Sequence, residues 1–330
     1  MKENSGLISA CRLDGKGSGT PLDWSEANKW TPEQGSVWIH LDCTNVNTET
    51  WLRDHSKLDT FVIDGLLAME TRPRCDWYED GVLLVLRGVN LNPGADPDDM
   101  VSIRIWIDQH RVISTRLRRL LAVEDVRQQL AAGKGPISTG HLVARLAACL
   151  TDRMMPTIED LSDQVDALED QLINIDGSEK QALREVRFKL ANIRRLAISL
   201  RRYITPQREA LTRLSQLDEK WLDDRMRGRM RETVDRVTRI TEELDEVRER
   251  SALIQDELIS RISQRMEHTM YVLTVVATIM LPLGFLTGLL GINVGGIPGA
   301  ETKWAFWAVT GGMAVVIAIE TILFKRLKIL

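Results

Sequence analysis

MYVLTVVATIMLPLGFLTGLLGIN, residues Met270 to Asn293, is the stretch from which the rest of the chain is best read. From Met270 to Leu290 it holds no charged side chain. A short glycine-rich loop follows, and then a second apolar run from Trp304 to Phe324. A helix of about 20 residues crosses a hydrocarbon core ~30 Å thick, so each run is long enough to span a bilayer. Two spans joined by so short a loop form a hairpin, with both chain ends on the same side. Everything before Met270 has the composition of a soluble body.

Charge sets the orientation. Arg261 and Arg265 precede the first run, and Lys325, Arg326 and Lys328 follow the second. The loop between offers only Lys303, offset by Glu301. Basic residues stay on the cytoplasmic side, so both termini are expected there, with the spans in the inner membrane. Trp304 and Trp307 open the second run, where interfacial tryptophans belong. The start, MKENSGL, is polar and unlike a secretory signal. Cys11, Cys43, Cys75 and Cys149 show no CxxC pair, which argues against a zinc knuckle or disulfide framework and for reduced thiols. A net charge of −4 over 330 residues leaves no basic footprint for nucleic acid.

Residues 1–133 read as a cytoplasmic α/β domain. SVWIHLD (Ser36 to Asp42), GVLLVLRGVNL, MVSIRIWID and RVISTR have strand character. Thr48 to Met69 and Leu120 to Ala132 read as helices between them, which makes a mixed α/β fold. Gly15-Lys16-Gly17-Ser18-Gly19 lacks the spacing of a phosphate loop and reads as a hairpin turn.

Residues 134–216 read as a helical hairpin region. Ile158, Leu161, Val165, Leu168, Leu172 and Ile175 recur at 3,4,3,4,3 spacing. Beyond Asp176-Gly177 the same spacing returns in Leu183, Val186, Leu190, Ile193, Ala197 and Leu200. Two such stripes around a tight turn make an antiparallel pair of helices. The first arm is acidic outside its stripe and the second basic, so arm-to-arm charge pairing is expected. A surface that concentrates cations is the other reading of the acidic arm. Residues 217–268 read as one stalk helix, free of proline and with a single glycine, Gly228. Such a helix is ~75 Å long at 1.5 Å per residue and needs packing partners, its own domain or further copies.

Residues 269–330 read as a two-span transmembrane domain. Met270, Leu273, Ala277, Leu281, Gly284 and Gly288 share one helix face, bulky at the cytoplasmic end and small at the outer end. Small residues permit close helix contact. Around a symmetry axis the same face lines a pore whose apolar rings gate by dewetting. Two helices enclose no conduit alone, so transport requires an oligomer.

VLTVVATIMLPLGFLTGLLGIN, Val272 to Asn293, closely resembles the pore helix of the CorA metal-ion transporter family, whose first span ends in Gly-Met-Asn. Here the triplet is Gly291-Ile292-Asn293. That change, with Gly295-Gly296-Ile297-Pro298-Gly299, Thr71-Arg72-Pro73-Arg74 and Ser114-Thr115-Arg116, resembles the zinc-transporting branch. The likeness runs over essentially the whole chain. It implies a funnel-shaped homopentamer in which Asn293 rings the outer mouth. The carboxamides would take hydrogen bonds from the water shell of a cation without a charge to trap it. Gly284 departs from magnesium-type relatives, which often carry Thr there. Zinc import driven by a proton gradient is what the likeness implies, with a magnesium or cobalt channel as the alternative ion assignment. A membrane-anchored coiled-coil scaffold is the alternative from another class.

Four further residues draw attention. His268 and Glu267 sit at the cytoplasmic mouth as candidate metal ligands, or as interfacial and solvated side chains. Glu301 could steer cations to the outer mouth. Glu320, the one charge within the second run, is a proton-coupling candidate or a snorkelling carboxylate near Lys325. His40, His55, His110 and His141 show no metal-ligand spacing, and no nucleophile elbow or dinucleotide fingerprint points to an enzyme. No prosthetic group is implied; a divalent cation is cargo, and lipid and further copies of the chain are the expected partners.

Overall fold

The computed structural model describes residues 6–174, 180–292, 299 and 302–326. Contacts divide the chain into two units, Met1–Gln255 and Asp256–Leu330, with the division inside one long helix.

The first unit is built on a seven-stranded sheet. Its strands are β1 (Leu7–Leu13), β2 (Gly19–Leu22), β3 (Val37–Asp42), β4 (Arg74–Tyr78), β5 (Gly81–Gly88), β6 (Val101–Ile107) and β7 (Arg111–Arg116). The order is β2-β1-β3-β7-β6-β5-β4, antiparallel except where β3 lies parallel to β7. The strands expected from β-branched runs are present. β1, β2 and β4, which were not anticipated, form the two sides of the sheet, where short and more polar strands are tolerated. The β1–β2 turn closes on Asp14, whose carboxylate accepts from the N–H groups of Lys16, Gly17 and Ser18 at 2.7, 2.9 and 2.9 Å. The glycine-rich stretch is therefore a hairpin turn, as read.

α1 (Trp24–Asn28), α2 (Val46–Asp54) and α3 (Thr60–Leu67) follow in the first half, and α4 (Leu121–Ala131) and α5 (Thr139–Asp152) come after the sheet. The helix expected over Thr48–Met69 is in fact two. Lys57 takes φ +57°, and Asp59 caps the second piece by accepting from Phe61 N–H at 2.7 Å. One core joins Trp51, Leu52, Val62, Ile63 and Leu66 to Ile39, Leu83, Trp106 and Ile113 of the sheet. β6 is buried along its whole length, and on β5 a Cβ at Gly88 would come within 2.9 Å of Leu150 on α5. The central strands are covered on both faces, which explains their nearly unbroken apolar runs.

Three long helices complete the unit: α6 (Met155–Asn174), α7 (Lys180–Gln216) and the first part of α8 (Asp224–Leu290). Both heptad stripes are buried at every described position. Ile175 and Asp176-Gly177 lie outside the described residues. Among the described residues the ion pairs do not run between the arms as expected. Asp166 and Glu169 of α6 hold Arg250 of α8 at 2.5 and 2.6 Å, and Arg201 of α7 holds Asp245 of α8 at 2.7 Å. α8 supplies the opposite charge to each arm. It also starts later than Leu217, because Asp223 caps it by accepting from Met226 N–H at 2.7 Å. Along α8, Met230, Val237, Leu244, Val247, Ile254 and Leu258 are buried, so most of the stalk stripe is covered within the chain and only Ile262 is left exposed.

The second unit consists of the end of α8 and α9 (Ala305–Arg326). Both helices are long and apolar enough to cross a membrane.

Candidate functional site

The end of α8 carries the candidate permeation face. Its part-buried residues are Tyr271, Val275, Ile279, Pro282, Leu283 and Leu286. On α9 the part-buried residues are Ala305, Val309, Met313, Val316, Glu320 and Phe324 among others. Each set keeps helical spacing, as two helices of a hairpin do when each shields one stripe of the other. Met270, Leu273, Ala277, Leu281, Gly284 and Gly288 all fall on the exposed remainder of α8. A Cβ built at Gly284 or Gly288 would meet nothing within 4 Å. The glycines therefore do not serve close packing inside the chain.

The polar groups of this segment are largely satisfied within the helix. Thr274, Thr278 and Thr287 donate their hydroxyls to the carbonyls of Met270, Thr274 and Leu283 at 2.8, 2.8 and 2.9 Å. Such back-bonding lets hydroxyls sit in an apolar solvent without loss of hydrogen bonding. Pro282 has no N–H to donate to the carbonyl four residues earlier, the usual way a proline loosens a helix. At the outer end Gly291 N–H is shared between the carbonyls of Thr287 and Gly288, at 2.9 and 3.1 Å, and the helix stops. A Cβ at Gly291 would lie 3.1 Å from the Thr287 carbonyl oxygen, tight enough to explain a glycine there. Ile292 follows, exposed. Residues 293–298, which hold Asn293 and most of the glycine-rich loop, and Glu301 lie outside the described residues.

The remaining site candidates are placed as follows. Glu267 and His268 are exposed on successive positions of α8, and the His268 ring lies 6.5 Å from that of Tyr271. Successive helical positions diverge by about 100°, so one chain does not bring both side chains to one ion. Among the described residues no group of three His, Cys, Asp or Glu is arranged to hold a metal ion. Glu320 is half-buried on the shielded stripe of α9, and its Oε2 is buried with no hydrogen-bond partner. In the first unit His40 is a core residue, its Nδ1 2.8 Å from Ser114 Oγ, which also accepts from Trp38 Nε1. Burial and the charges of Arg116 and Arg127 push it down to about 3, so it is neutral at neutral pH. All four cysteines are free thiols, and burial pushes Cys11 and Cys75 up to about 12.

A soluble α/β unit, a three-helix stalk region and a C-terminal pair of spans with an open, small-residue face define a two-span membrane protein of the ion-transporter class. Comparison makes the family specific. A family profile described as CorA-like Mg2+ transporter protein matches residues 33–326. The divalent cation transporter CmaX of Pseudomonas aeruginosa is 40% identical over 99% of this chain and 97% of its own length. The zinc transport protein ZntB of Pectobacterium carotovorum is 36% identical over 92% of this chain and 90% of its own. The structure of full-length CmaX superposes with a TM-score of 0.83 at 39% identity, covering 99% of each chain. The complete CorA magnesium transporter from Methanocaldococcus jannaschii gives 0.78 at 19% identity, covering 96% of this chain and 97% of that one, which speaks to the fold alone. The chain belongs to the CorA family of divalent cation transporters and is not an enzyme.

Proposed function

We propose that this chain is one subunit of a homopentameric transporter that carries zinc into the cytoplasm across the inner membrane, coupled to protons, with both termini cytoplasmic. The first spans of five copies surround the pore. Met270 and Leu273 narrow its cytoplasmic end, Gly284 and Gly288 widen its outer half, and Asn293 of the Gly291-Ile292-Asn293 triplet rings the mouth. Glu301 draws cations in, Glu267 and His268 meet them at the inner mouth, and Glu320 is the proton-linked carboxylate. The observation that carries the reading is the exposed stripe from Met270 to Gly288, at whose glycines an added Cβ would meet nothing within 4 Å. A membrane anchor needs hydrophobicity and not that graded face.

A broader divalent specificity has its own support. The pore stripe holds no thiolate, imidazole or carboxylate, so an ion would pass with its water shell rather than bind zinc-selective ligands. The relative with 40% identity is named for divalent cations in general.

Uptake into liposomes holding the purified protein decides between them. Zinc and magnesium are offered separately, with and without a pH gradient, beside Asn293→Ala. Zinc flux that rises with the inward proton gradient and is deranged in the variant is expected. Magnesium flux indifferent to pH moves the protein to the channel-like reading.

A further inference from the structure

Thr71-Arg72-Pro73-Arg74 lies in the first unit, where Thr71 and Arg72 line a cleft. This cleft, about 630 Å³, opens at one end of the sheet between the loop before β4, the end of β5, the start of β6, the end of β7 and α7. Its lining includes Arg72, Arg87, Arg118 and Arg202, against two carboxylates, Glu70 and Asp99. Asp99 is already engaged in an ion pair with Arg118.

Arg87 and Arg202 donate to neutral groups. Arg87 donates from Nε to the Thr71 carbonyl at 2.9 Å and from Nη1 to the Met100 carbonyl at 3.3 Å, and stands 4.1 Å over the Tyr203 ring. Arg202 lies 4.8 Å from the same ring and donates to the Tyr203 hydroxyl. Behind them Arg104 is fully buried and donates to the carbonyls of Ala68 and Met69 at 2.5 and 3.2 Å, while its Nε has no partner. Desolvation holds both Arg87 and Arg104 below the usual guanidinium range. Arg104 is kept out of water with no carboxylate beside it, which is costly, and carbonyl dipoles offset only part of that cost. Four guanidiniums against two carboxylates leave the cleft with excess positive charge, which calls for an anion.

We propose that this cleft binds a water-soluble phosphate ester or polyphosphate of nucleotide size, with Arg72, Arg118 and Arg202 on its phosphoryl oxygens. Arginine forks match the paired oxygens of a phosphoryl group, and each such bond is charge-assisted. The volume falls in the range of small-molecule sites, well above that of a single halide. The site repels the cations the family transports, so its occupant is a ligand and not cargo.

The test is calorimetric titration of the full-length protein, in a glycosidic detergent free of phosphate and divalent cations, with pyrophosphate, ATP and citrate at one ionic strength. Pyrophosphate should bind at least about tenfold more tightly than citrate, a trianion of similar charge without a phosphoryl group, and ATP at least as tightly as pyrophosphate. Arg72→Gln with Arg202→Gln should weaken binding by about tenfold or more, the scale of one or two lost charge-assisted bonds. Both side chains are exposed, so the fold should survive. Arg239→Gln, which removes the same charge from an exposed position of α8, should change it less than twofold. No binding of either phosphate, equal affinity for citrate, or equal losses in Arg239→Gln and the cleft variants would overturn the proposal.

Discussion

α8 carries one helical periodicity through two different surroundings. From Met230 to Leu258 its apolar stripe is buried, and the faces beside it carry the ion pairs to Asp166, Glu169 and Arg201. From Met270 to Leu290 apolar side chains point all round the helix and most are exposed in the single chain. A helix apolar on one stripe is finished by its own fold, whereas one apolar all round needs an apolar solvent or further copies. The difference shows where this chain completes itself and where it needs an apolar solvent or further copies.

The sharpest way to break that comparison is to shorten one leucine in each region. Leu244 is fully buried, and Leu244→Ala should cost about 2–5 kcal/mol, read as a lower thermal or denaturant midpoint of the first unit. Leu281 is 73% exposed, and Leu281→Ala should leave that midpoint within about 0.5 kcal/mol. If Leu281→Ala destabilises the protein as much, the exposed face is covered by other copies whose assembly is obligatory for folding.

The open glycines give the next largest effect. A Cβ at Gly288 would meet nothing within 4 Å, so Gly288→Leu should leave the fold of the single chain intact. Placed around an axis, five leucines would narrow the outer half of the pore, and metal flux in liposomes should fall at least about tenfold, equivalent to 1.4 kcal/mol or more of barrier. Unchanged flux with loss of the oligomer on gel filtration would assign the stripe to helix packing instead.

How far these features could be read in advance depended on whether local pattern and final surroundings coincide. Both heptad stripes, the central strands and the two spans were legible because their apolar spacing alone fixes a face or a length. The break at Lys57 to Asp59 was missed, because Thr48 to Met69 is apolar at helical spacing on both sides and the Asp59 cap is a one-residue signal. The pairing of both hairpin arms with α8 was missed as well, since charge composition says nothing about which of three helices lies opposite. The candidate permeation stripe was legible as a face. Its exposure needed coordinates, because spacing cannot tell which side of α8 α9 shields. The basic cleft had almost no signature, as its arginines come from four separate strands, loops and helices.

Within the first unit, His40 allows a finer comparison, between a buried polar group and the exposed apolar ones. His40 is neutral in the fold down to about pH 3 but takes up a proton near pH 6.5 when unfolded. Its folded value is depressed, so the stability it permits is present above pH 6.5 and is lost as pH falls from there toward about 3. Between pH 7.5 and 5.5 the loss from this one group should be about 1.4 kcal/mol. His141, also lowered by burial, adds in the same direction. Denaturant midpoints across that window should show the slope, and His40→Asn should flatten most of it; an unchanged slope in the variant would assign the acid sensitivity elsewhere.

The smallest effect concerns the charges that tie α6 to α8. Arg250 reaches Asp166 and Glu169 at 2.5 and 2.6 Å, but the carboxylates are 56% and 48% exposed. Water screens such pairs, and ordering the long side chains offsets part of the attraction. A double-mutant cycle of Arg250→Ala with Asp166→Ala should give a coupling below about 1 kcal/mol, falling further in high salt. A coupling several times larger would mean that these carboxylates are covered in the assembled protein, as they are not in one chain. Leu281→Ala in the apolar part of the same helix and this cycle in its polar part therefore ask one question of two regions, namely which surfaces of the subunit the assembly hides.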